Sequence, residues 1–243
     1  MKVSFDTDVG IVRSENQDSV FASSLTRKIA LYIVADGMGG HRGGKTASTM
    51  AIDIISDIIK NDFDKKLEPY AIKEIMISAV KEANKQIYEK SIHDPELEGM
   101  GTTVVVMLVI NRTLYIASVG DSRAYVISSQ GIKQITTDHS LVADLVSRGV
   151  ITEAEARVHP KRNVITRAVG SEISVEVDFF DVELDKGDII IGCSDGLHGM
   201  LEDNEITEIV SKSNINGSAK NLIACANEKG GYDNITVVVA KIS

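Results

Sequence analysis

The sequence predicts an α+β fold, in which β-sheet layers are covered by helices. Strand-like runs and helix-like segments come in blocks, whereas a parallel α/β sheet requires strict alternation. Short apolar runs in residues 102–136 are divided by turn signals, Asn-Arg at 111–112 and Ser-Gln-Gly at 129–131, which predicts antiparallel hairpins. The composition, 43% apolar and 25% charged over 243 residues, fits one compact domain spanning 1–243.

The N-terminal part is expected to combine strands with two helices. Strands are predicted at 3–10, 18–24 and 29–35. The last is a nearly continuous apolar run, typical of a strand buried on both faces. Apolar residues then recur at helical spacing between 47 and 58 and between 72 and 87, predicting two amphipathic helices joined by a polar connection at 61–68.

The rest of the chain returns to strands after each interruption. Further strands are predicted at 103–110, 114–119, 124–127, 132–135, 174–184, 188–193 and 235–240. Residues 140–172 break this pattern with two short helical pieces around Gly149, and we expect them to form an irregular flap subdomain. Two short helices are predicted at 203–211 and 218–228.

Three aspartates, Asp36, Asp195 and Asp233, each stand beside one of the apolar strand-like runs. If the sheets bring those strand ends together, the carboxylates form a hard-oxygen site for divalent metal ions. The alternative is structural, because Asp next to Gly at a strand end is commonly a turn former. The pattern favours a metal enzyme because the aspartates occur with further motifs, described below.

Charge and composition argue against nucleic acids and membranes as binding partners. A formal net charge of -9 argues against a nucleic-acid surface, which needs clustered Lys and Arg, but permits a phosphorylated substrate once metals are bound. The longest apolar stretch, 104–110, is too short to span a bilayer, and residues 1–6 do not resemble an export signal. We therefore expect a cytoplasmic protein without membrane contact, whose isolated Cys193 and Cys225 are reduced.

A phosphate-loop pattern offers an alternative function. Residues 39–46, Gly-Gly-His-Arg-Gly-Gly-Lys-Thr, satisfy G-x-x-x-x-G-K-[ST] between a strand and a helix. A nucleotide-binding loop of this kind needs a mainly parallel sheet, whereas 102–136 predict hairpins, and Asp36 would repel phosphate at the strand end. The glycines are better explained as allowing a tight turn beside the site.

Two further motifs carry charged residues suited to phosphate chemistry. Arg13 lies in Arg-Ser-Glu-Asn-Gln-Asp, and its guanidinium could hold two phosphate oxygens at any working pH. On its own it would more often be a surface residue. Asp121 lies in Val-Gly-Asp-Ser-Arg-Ala-Tyr at a predicted corner between strands, and this motif taken alone favours a turn-forming role.

Together these segments resemble the metal-dependent protein phosphatases of the type 2C serine/threonine family, in particular its compact bacterial members. The markers occur in order at 13–18, 35–41, 101–103, 120–125, 138–140, 163–170, 194–197 and 233–236. The resemblance implies a four-layer α-β-β-α sandwich with two mainly antiparallel sheets flanked by helix pairs. It also implies Mn²⁺ or Mg²⁺ as cofactor, with two core ions and a third beside them.

The resemblance implies a ligand set for the core ions. Carried over by position, Asp36 would bridge the two ions. The backbone carbonyl of Gly37 would complete one site, and Asp195 and Asp233 would complete the other.

Other positions take supporting roles by the same resemblance. Asp18 would hold metal-bound waters from behind the ligands, and Arg13 would bind the phosphate. Asp121, with Asp195, matches the third-ion position of bacterial members, and 140–172 match their mobile flap.

The implied reaction is hydrolysis of phosphoserine and phosphothreonine monoesters. A metal-activated water attacks phosphorus in line, without a phosphoenzyme. The implied partners are phosphorylated proteins, among them a serine/threonine kinase and its targets, and we expect a monomer. A non-catalytic phosphoprotein-binding relative is the alternative, but it would have lost one of the metal aspartates.

The general acid is not identified by the resemblance. Animal members carry a histidine directly after the first Asp-Gly, where this chain has Met38. His41, His139 and His159 lie nearby in sequence or around the flap, and a lone histidine is more often passive than catalytic. The acid is therefore left unassigned, and a metal-bound water could serve.

Overall fold

Two five-stranded antiparallel sheets form the centre of the computed structural model, which describes residues 1–26, 28–39, 42–62 and 68–243. The strands in chain order are β1 (Lys2–Asp8), β2 (Ser19–Thr26), β3 (Ile29–Ala35), β4 (Gly37–Met38), β5 (Gly101–Thr102), β6 (Val104–Ile110), β7 (Thr113–Val119), β8 (Arg123–Ser128), β9 (Gly131–Gln134), β10 (Asp178–Glu183), β11 (Ile189–Cys193) and β12 (Ile235–Lys241). The helices are α1 (Gly43–Asp62), α2 (Pro69–His93), α3 (Leu141–Ser147), α4 (Glu153–Val158), α5 (Asp195–His198), α6 (Asp203–Lys212) and α7 (Ile215–Glu228).

The two sheets are built from distant parts of the chain. The first has the order β1-β12-β11-β8-β9, so the two ends of the sequence pair along its edge. The second has the order β10-β7-β6-β3-β2, and a two-stranded pair, β4-β5, lies outside both. Every strand pairing in the sheets is antiparallel.

Alternating side chains of β3 show how the layers stack. Leu31 and Ile33 pack in a core with residues of α1 and α2, such as Ile55. Tyr32 and Val34 point to the opposite face, into a core shared with the other sheet. Because both faces of β3 are covered, all of its residues are buried, which explains its continuous apolar run.

The other sheet repeats this arrangement. Ile191 of β11 packs with α6 and α7, whereas Ile190 faces the core between the sheets. The layers are therefore α1/α2, sheet, sheet and α6/α7. This confirms the predicted α-β-β-α sandwich with two antiparallel sheets flanked by helix pairs.

One local expectation was too simple. The antiparallel hairpins predicted in residues 102–136 are present, but they do not form a single sheet as their succession in the chain would suggest: β6-β7 lies in one sheet and β8-β9 in the other. The chain changes sheet at Gly120, whose φ of +101° is in the region that favours glycine. The short helix α5 was also not predicted. The predicted connection at 61–68 lies mostly outside the described residues.

The predicted flap region holds two short helices, α3 and α4, on either side of Gly149. None of their residues is buried. A β-bridge between Ser140 and Ile165 closes the base of the region, and a second one joins Val169 to Thr102. In the part of the chain that the structure describes, no helix is long and apolar enough to cross a membrane.

Candidate active site

A cleft of about 550 Å³ collects the aspartates singled out in the sequence. Asp36 directly follows β3, Asp195 begins α5 just after β11, and Asp233 lies two residues before β12. Since β3 belongs to one sheet and β11 and β12 to the other, the cleft lies where the two sheets meet. Of the predicted site residues, the cleft is lined by Arg13, Asp36, Gly37, Asp121, Asp195 and Asp233.

Thr103 holds Asp36 in place through the backbone. The Asp36 N–H donates to Thr103 Oγ1 at 3.1 Å, and the Thr103 N–H donates to the Asp36 carbonyl oxygen at 2.9 Å. Thr103 Oγ1 is also hydrogen-bonded to Ser122 Oγ at 2.7 Å. Thr103 therefore joins the Asp36 corner of one sheet to the turn that carries Asp121.

Gly37 lies where two other segments approach it closely. A Cβ at this position would lie 2.1 Å from the Gly44 carbonyl oxygen and 2.6 Å from the Gln17 carbonyl oxygen. No side chain fits there without moving backbone. The sequence therefore needs glycine after Asp36, and the backbone of Gly37 reaches the wall of the cleft.

Asp18 is fully buried and does not line the cleft, so it lies behind the other carboxylates. Ser194 Oγ donates to Asp18 Oδ2 at 2.7 Å, and the Thr236 N–H donates to Ser194 Oγ at 3.0 Å. Burial raises the pKa of Asp18 to about 6, against the opposing effect of hydrogen bonds from Thr236 and Ser194. The placement agrees with a supporting role.

Burial and neighbouring negative charges raise the pKa values of the central carboxyl groups. The pKa of Asp36 is raised well above its usual range, first by burial and then by the charges of Asp18 and Asp195. Burial, followed by the charges of Asp121 and Asp233, raises the pKa of Asp195 to about 8. The ionised carboxylates are therefore destabilised here unless a cation compensates them.

Arg13 supplies a positive charge at the edge of the cleft. Its Nη2 donates to Asp233 Oδ2 at 2.8 Å, and its side chain remains 55% exposed. The hydrogen bond to Asp233 is the main cause that raises the pKa of the guanidinium, and the charges of Asp195 and Asp36 add to it. Arg13 is therefore permanently charged and lies within reach of the same pocket.

Asp121 sits in the turn where the chain changes sheet. The backbone of Gly120 is fixed by His139, which accepts the Gly120 N–H on Nδ1 at 3.0 Å and donates its own N–H to the Gly120 carbonyl at 2.9 Å. His198 Nε2 donates to the Asp121 carbonyl at 3.0 Å. Burial, with the charge of Asp138, raises the pKa of Asp121 to about 6.

The donor set fits hard divalent cations. Asp195 Oδ1 and Asp18 Oδ1 are buried without a hydrogen-bond partner among the described residues. Leaving such an oxygen unsatisfied is costly, and carboxylate oxygens are the ligands that Mg²⁺ and Mn²⁺ prefer. Within the described ranges, no three acidic, His or Cys side chains are already arranged around one point as a metal site. Asp233 is ion-paired with Arg13 instead.

The histidines give no general acid among the residues that the structure describes. His139 is buried and engaged with Gly120, and none of the described histidines lines the cleft. His159 Nδ1 accepts the Lys161 N–H at 3.1 Å within the flap. His41 lies outside the described residues. Met38 does line the cleft, as expected from its position after Asp36-Gly37.

The phosphate-loop alternative does not fit the surroundings of Lys45. Its Nζ donates to the Asp18 carbonyl at 2.6 Å and lies 3.1 Å from Ser19 Oγ. Lys45 therefore supports the segment before β2, whereas a phosphate-loop lysine must be available to a nucleotide. The preceding strand β3 also lies in an antiparallel sheet. Gly40 and His41 of the motif lie outside the described residues.

Asn234 lies in the marker at 233–236, but the sequence pattern assigned it no role. Its Nδ2 donates to the carbonyls of Val9 and Glu15, both at 2.9 Å, and its Oδ1 accepts the Gln17 N–H at 2.8 Å. Asn234 therefore fixes the whole β1–β2 loop, which carries Arg13, against the segment of Asp233. No local signal reveals this role, because each partner lies more than 200 residues away in sequence.

The chain is similar to known proteins over almost its whole length. The family model described as Protein phosphatase 2C matches residues 7–235. The chain is 40% identical to the serine/threonine phosphatase stp of Listeria monocytogenes, over 99% of this chain and 96% of that protein. It is 36% identical to protein phosphatase PhpP of Streptococcus pneumoniae, over 100% and 98% of the two chains.

Solved structures agree with the sequence relatives. The serine/threonine phosphatase of S. agalactiae superposes with a TM-score of 0.92 at 36% identity, covering 100% of this chain and 99% of the other. The catalytic domain of the serine/threonine protein phosphatase PstP, in complex with two manganese ions, superposes with a TM-score of 0.86 at 34% identity, covering 100% and 98%.

Proposed function

The chain belongs to the protein phosphatase 2C family, and on that premise we propose that it hydrolyses phosphoserine and phosphothreonine monoesters in proteins with the help of divalent metal ions. The observation that carries the proposal is the convergence of Asp36, Asp195 and Asp233 on one cleft beside Arg13. The acids provide sites for cations, and the guanidinium provides a site for the phosphate. The combination is suited to cleaving a phosphate ester.

The proposed metal ligands are the carboxylates that lie at the meeting of the two sheets. Asp36, the backbone carbonyl of Gly37, Asp195 and Asp233 would together hold the two core ions. When bound, two Mn²⁺ or Mg²⁺ ions supply an activated water nucleophile and positive charge against the phosphoryl oxygens. The raised pKa values of Asp36 and Asp195 support the assignment, since burial and then neighbouring negative charges disfavour their ionised forms, and a bound cation would compensate both effects.

A third cation is assigned to Asp121 together with Asp195. Both residues line the cleft, and burial leaves Asp195 Oδ1 without a partner among the described residues. Asp18 is assigned to the layer behind the ligands, where its contact with Ser194 keeps it oriented. It would position waters and would not contact the substrate.

Arg13 is proposed to bind the phosphate. Its guanidinium carries a permanent charge and a planar set of donors, which match two phosphate oxygens. Its side chain is more than half exposed, so it can turn from Asp233 toward a substrate without unpacking a core. In the transition state the same donors would stabilise charge on the equatorial oxygens.

The proposed reaction is direct attack by water, without a covalent intermediate on the chain. In hydrolysis the water oxygen bonds to phosphorus, the ester P–O bond breaks, and the serine or threonine oxygen leaves with a proton. Cys193 is fully buried, and burial raises the pKa of its thiol to about 12, so it cannot act as a thiolate nucleophile. The donor of the leaving-group proton stays unassigned.

The partners follow from this chemistry. Phosphorylated proteins are the proposed substrates. We predict that they include a serine/threonine kinase and the proteins that this kinase phosphorylates. A cytoplasmic location, a monomeric state and a mobile flap at 140–172 also remain predictions.

The test is release of phosphate from a phosphothreonine peptide with Mn²⁺, compared with the same reaction in excess EDTA. Metal-dependent release that disappears in Asp195→Asn is the expected result. The variant keeps the shape of the side chain and removes one proposed ligand. Folding of both proteins is checked by circular dichroism.

Absence of release with metal from correctly folded protein would contradict the phosphatase proposal. Binding of the phosphopeptide without turnover would then indicate a non-catalytic phosphoprotein-binding protein. Binding of ATP would instead favour the phosphate-loop alternative.

A further inference from the structure

Three large apolar side chains stand exposed beside the cleft, on the side of Arg13. Ile11, Val12 and Tyr232, which we call the rim patch, are 68%, 61% and 59% exposed. Val12 directly precedes Arg13 and Tyr232 directly precedes Asp233, and both of these charged residues line the cleft. Single exposed apolar residues are ordinary, but a group of them beside a binding site is typical of a contact surface.

The rim patch is held in place by the backbone. The N–H groups of Ile11 and Val12 both donate to the Gly231 carbonyl, at 2.8 Å and 3.2 Å. Gly231 has a φ of +50°, and a Cβ there would lie 2.8 Å from Ile11 Cγ1. The two loops are therefore tied together at a position that needs glycine. A prearranged surface loses little conformational entropy when a ligand binds.

The position of the rim patch next to Arg13 in the chain indicates which residues of a substrate would contact it. An extended peptide advances about 3.3–3.6 Å per residue, so side chains one or two residues from the phosphorylated residue lie within about 7 Å of it. Residues adjacent to Arg13 and Asp233 in the chain have Cα atoms about 3.8 Å from the Cα atoms of those two residues, a distance of the same order. These are the exposed residues Val12 and Tyr232.

We propose that the rim patch binds an apolar side chain of the phosphoprotein substrate, located one or two residues from the phosphorylated serine or threonine. The proposal rests on the proposed phosphatase function and adds a preference among substrates. Burial of apolar surface on both partners provides the driving force, while Arg13 meets the charge of the phosphate. The same contact would strengthen binding without entering the chemical step.

A substrate segment fits the position better than a second copy of this chain. The rim patch adjoins Arg13 in the chain, so a second copy of this chain seated there would compete with the substrate for the cleft. A short extended segment can contact the patch and place its phosphate in the cleft together. The charged phosphate of such a segment matches Arg13, and its apolar side chain matches the rim patch.

The experiment compares two phosphothreonine peptides of equal length that differ only at the flanking positions, Leu in one and Ser in the other. The variants are Ile11→Ser and Tyr232→Ser. Their matched controls are Ile92→Ser and Tyr70→Ser in α2. Ile92 is 60% exposed and Tyr70 is 74% exposed, and neither residue lines the cleft. kcat and KM are measured with saturating Mn²⁺, and the oligomeric state is measured by analytical ultracentrifugation.

We expect wild type to prefer the Leu peptide by about tenfold in kcat/KM. Each rim variant is expected to lose most of that preference through KM, with kcat/KM for the Ser peptide changed less than about twofold. The α2 variants should keep the preference. A preference of this size corresponds to burying one aliphatic side chain partly.

Four results would overturn the proposal. If wild type is indifferent to the flanking residue, or if the rim variants slow both peptides equally, the phosphatase function stands and the rim contact fails. Self-association that is lost in the rim variants would assign the patch to a second copy. If wild type cleaves neither peptide, the phosphatase function fails and the rim proposal fails with it.

Discussion

Arg13 Nη2 lies 2.8 Å from Asp233 Oδ2, although the two residues are 220 positions apart in sequence. The contact joins the loop between β1 and β2 to the segment before β12. It also places a fixed positive charge against one of the carboxylates that we assign to a metal ion. On this assignment Arg13 and the cation compete for Asp233, and Arg13 is released toward the phosphate when the cation binds.

Replacing Arg13 should therefore have opposite effects on catalysis and on metal binding. We expect Arg13→Ala to lower kcat/KM about 100-fold, because a donor to the phosphoryl oxygens is lost. Its affinity for Mn²⁺ should rise by about twofold to fivefold, since an exposed ion pair contributes only about 0.2–1 kcal/mol. Titration calorimetry with Mn²⁺ measures the second effect. Arg42→Ala, which removes the exposed Arg42–Glu96 pair, is the control. Weaker Mn²⁺ binding would contradict the competition.

Asp36 and Asp233 should differ in their effect on stability, although both are assigned to the metals. We expect Asp36→Asn and Asp233→Asn each to reduce hydrolysis by a factor of at least about 1000, because the ligand set is broken. In EDTA, Asp36→Asn should raise the melting temperature, since it removes a carboxyl group whose ionisation is disfavoured by burial and by neighbouring charges. Asp233→Asn should not, because it also removes the partner of Arg13.

Differential scanning calorimetry in EDTA measures this difference. Asp57→Asn, at an exposed acid of α1, serves as control for the change of net charge. Near-normal turnover in either cleft variant would contradict the ligand assignment. A lower melting temperature for Asp36→Asn would contradict the repulsion among the buried carboxylates.

Asn234 should be important for stability and for the position of Arg13. Removing its side chain leaves the Gln17 N–H and the Val9 and Glu15 carbonyls without their partner, at a cost of about 2–4 kcal/mol of unfolding free energy for Asn234→Ala. Urea unfolding measures this loss. Asn221→Ala, which removes an exposed hydrogen bond to Ser213, should change stability by less than about 0.5 kcal/mol. Equal effects of the two substitutions would show that the loop is held by other contacts.

His198 should make stability depend on pH. Burial lowers its pKa to about 3, and the neutral ring donates to the Asp121 carbonyl. The unfolded chain binds a proton near pH 6.5, so this contribution is complete above that pH and is lost as the pH falls toward 3. Between pH 6.5 and 5.5, the unfolding free energy of wild type relative to His198→Gln should decrease by about 1 kcal/mol.

Urea unfolding at several pH values in EDTA gives this difference. The aspartates with raised pKa values shift stability in the opposite direction, but they do so in both proteins and cancel in the comparison. A difference that stays constant with pH would mean that folding leaves the pKa of His198 unchanged, which would contradict the burial argument.

Residues with local signals were predictable, and residues with distant partners were not. The uninterrupted apolar run before Asp36 predicted a strand covered on both faces, and β3 has that environment. The turn signals predicted the hairpins. In contrast, Gly120 looked like an ordinary turn residue, and nothing nearby in sequence indicates that the chain changes sheet there.

In the candidate site, too, residues with local sequence signals were predictable and contacts between distant residues were not. Asp36, Asp195 and Asp233 stand next to strand-like runs, so their convergence followed once the strands met at one end. The pairing of Arg13 with Asp233 and the hydrogen bonds of Asn234 could not be predicted, because they depend on how loops from opposite ends of the chain pack. Such contacts leave no periodicity in the sequence.

Because the cleft lies between the two sheets, the order of folding and metal binding is constrained. Asp36 is contributed by one sheet, and Asp195 and Asp233 by the other, so neither sheet alone carries the full ligand set. A partly folded chain in which the sheets have not yet docked would have little affinity for the cations. Metal uptake would therefore favour only the completed sandwich, and activity would not arise before the last step of assembly.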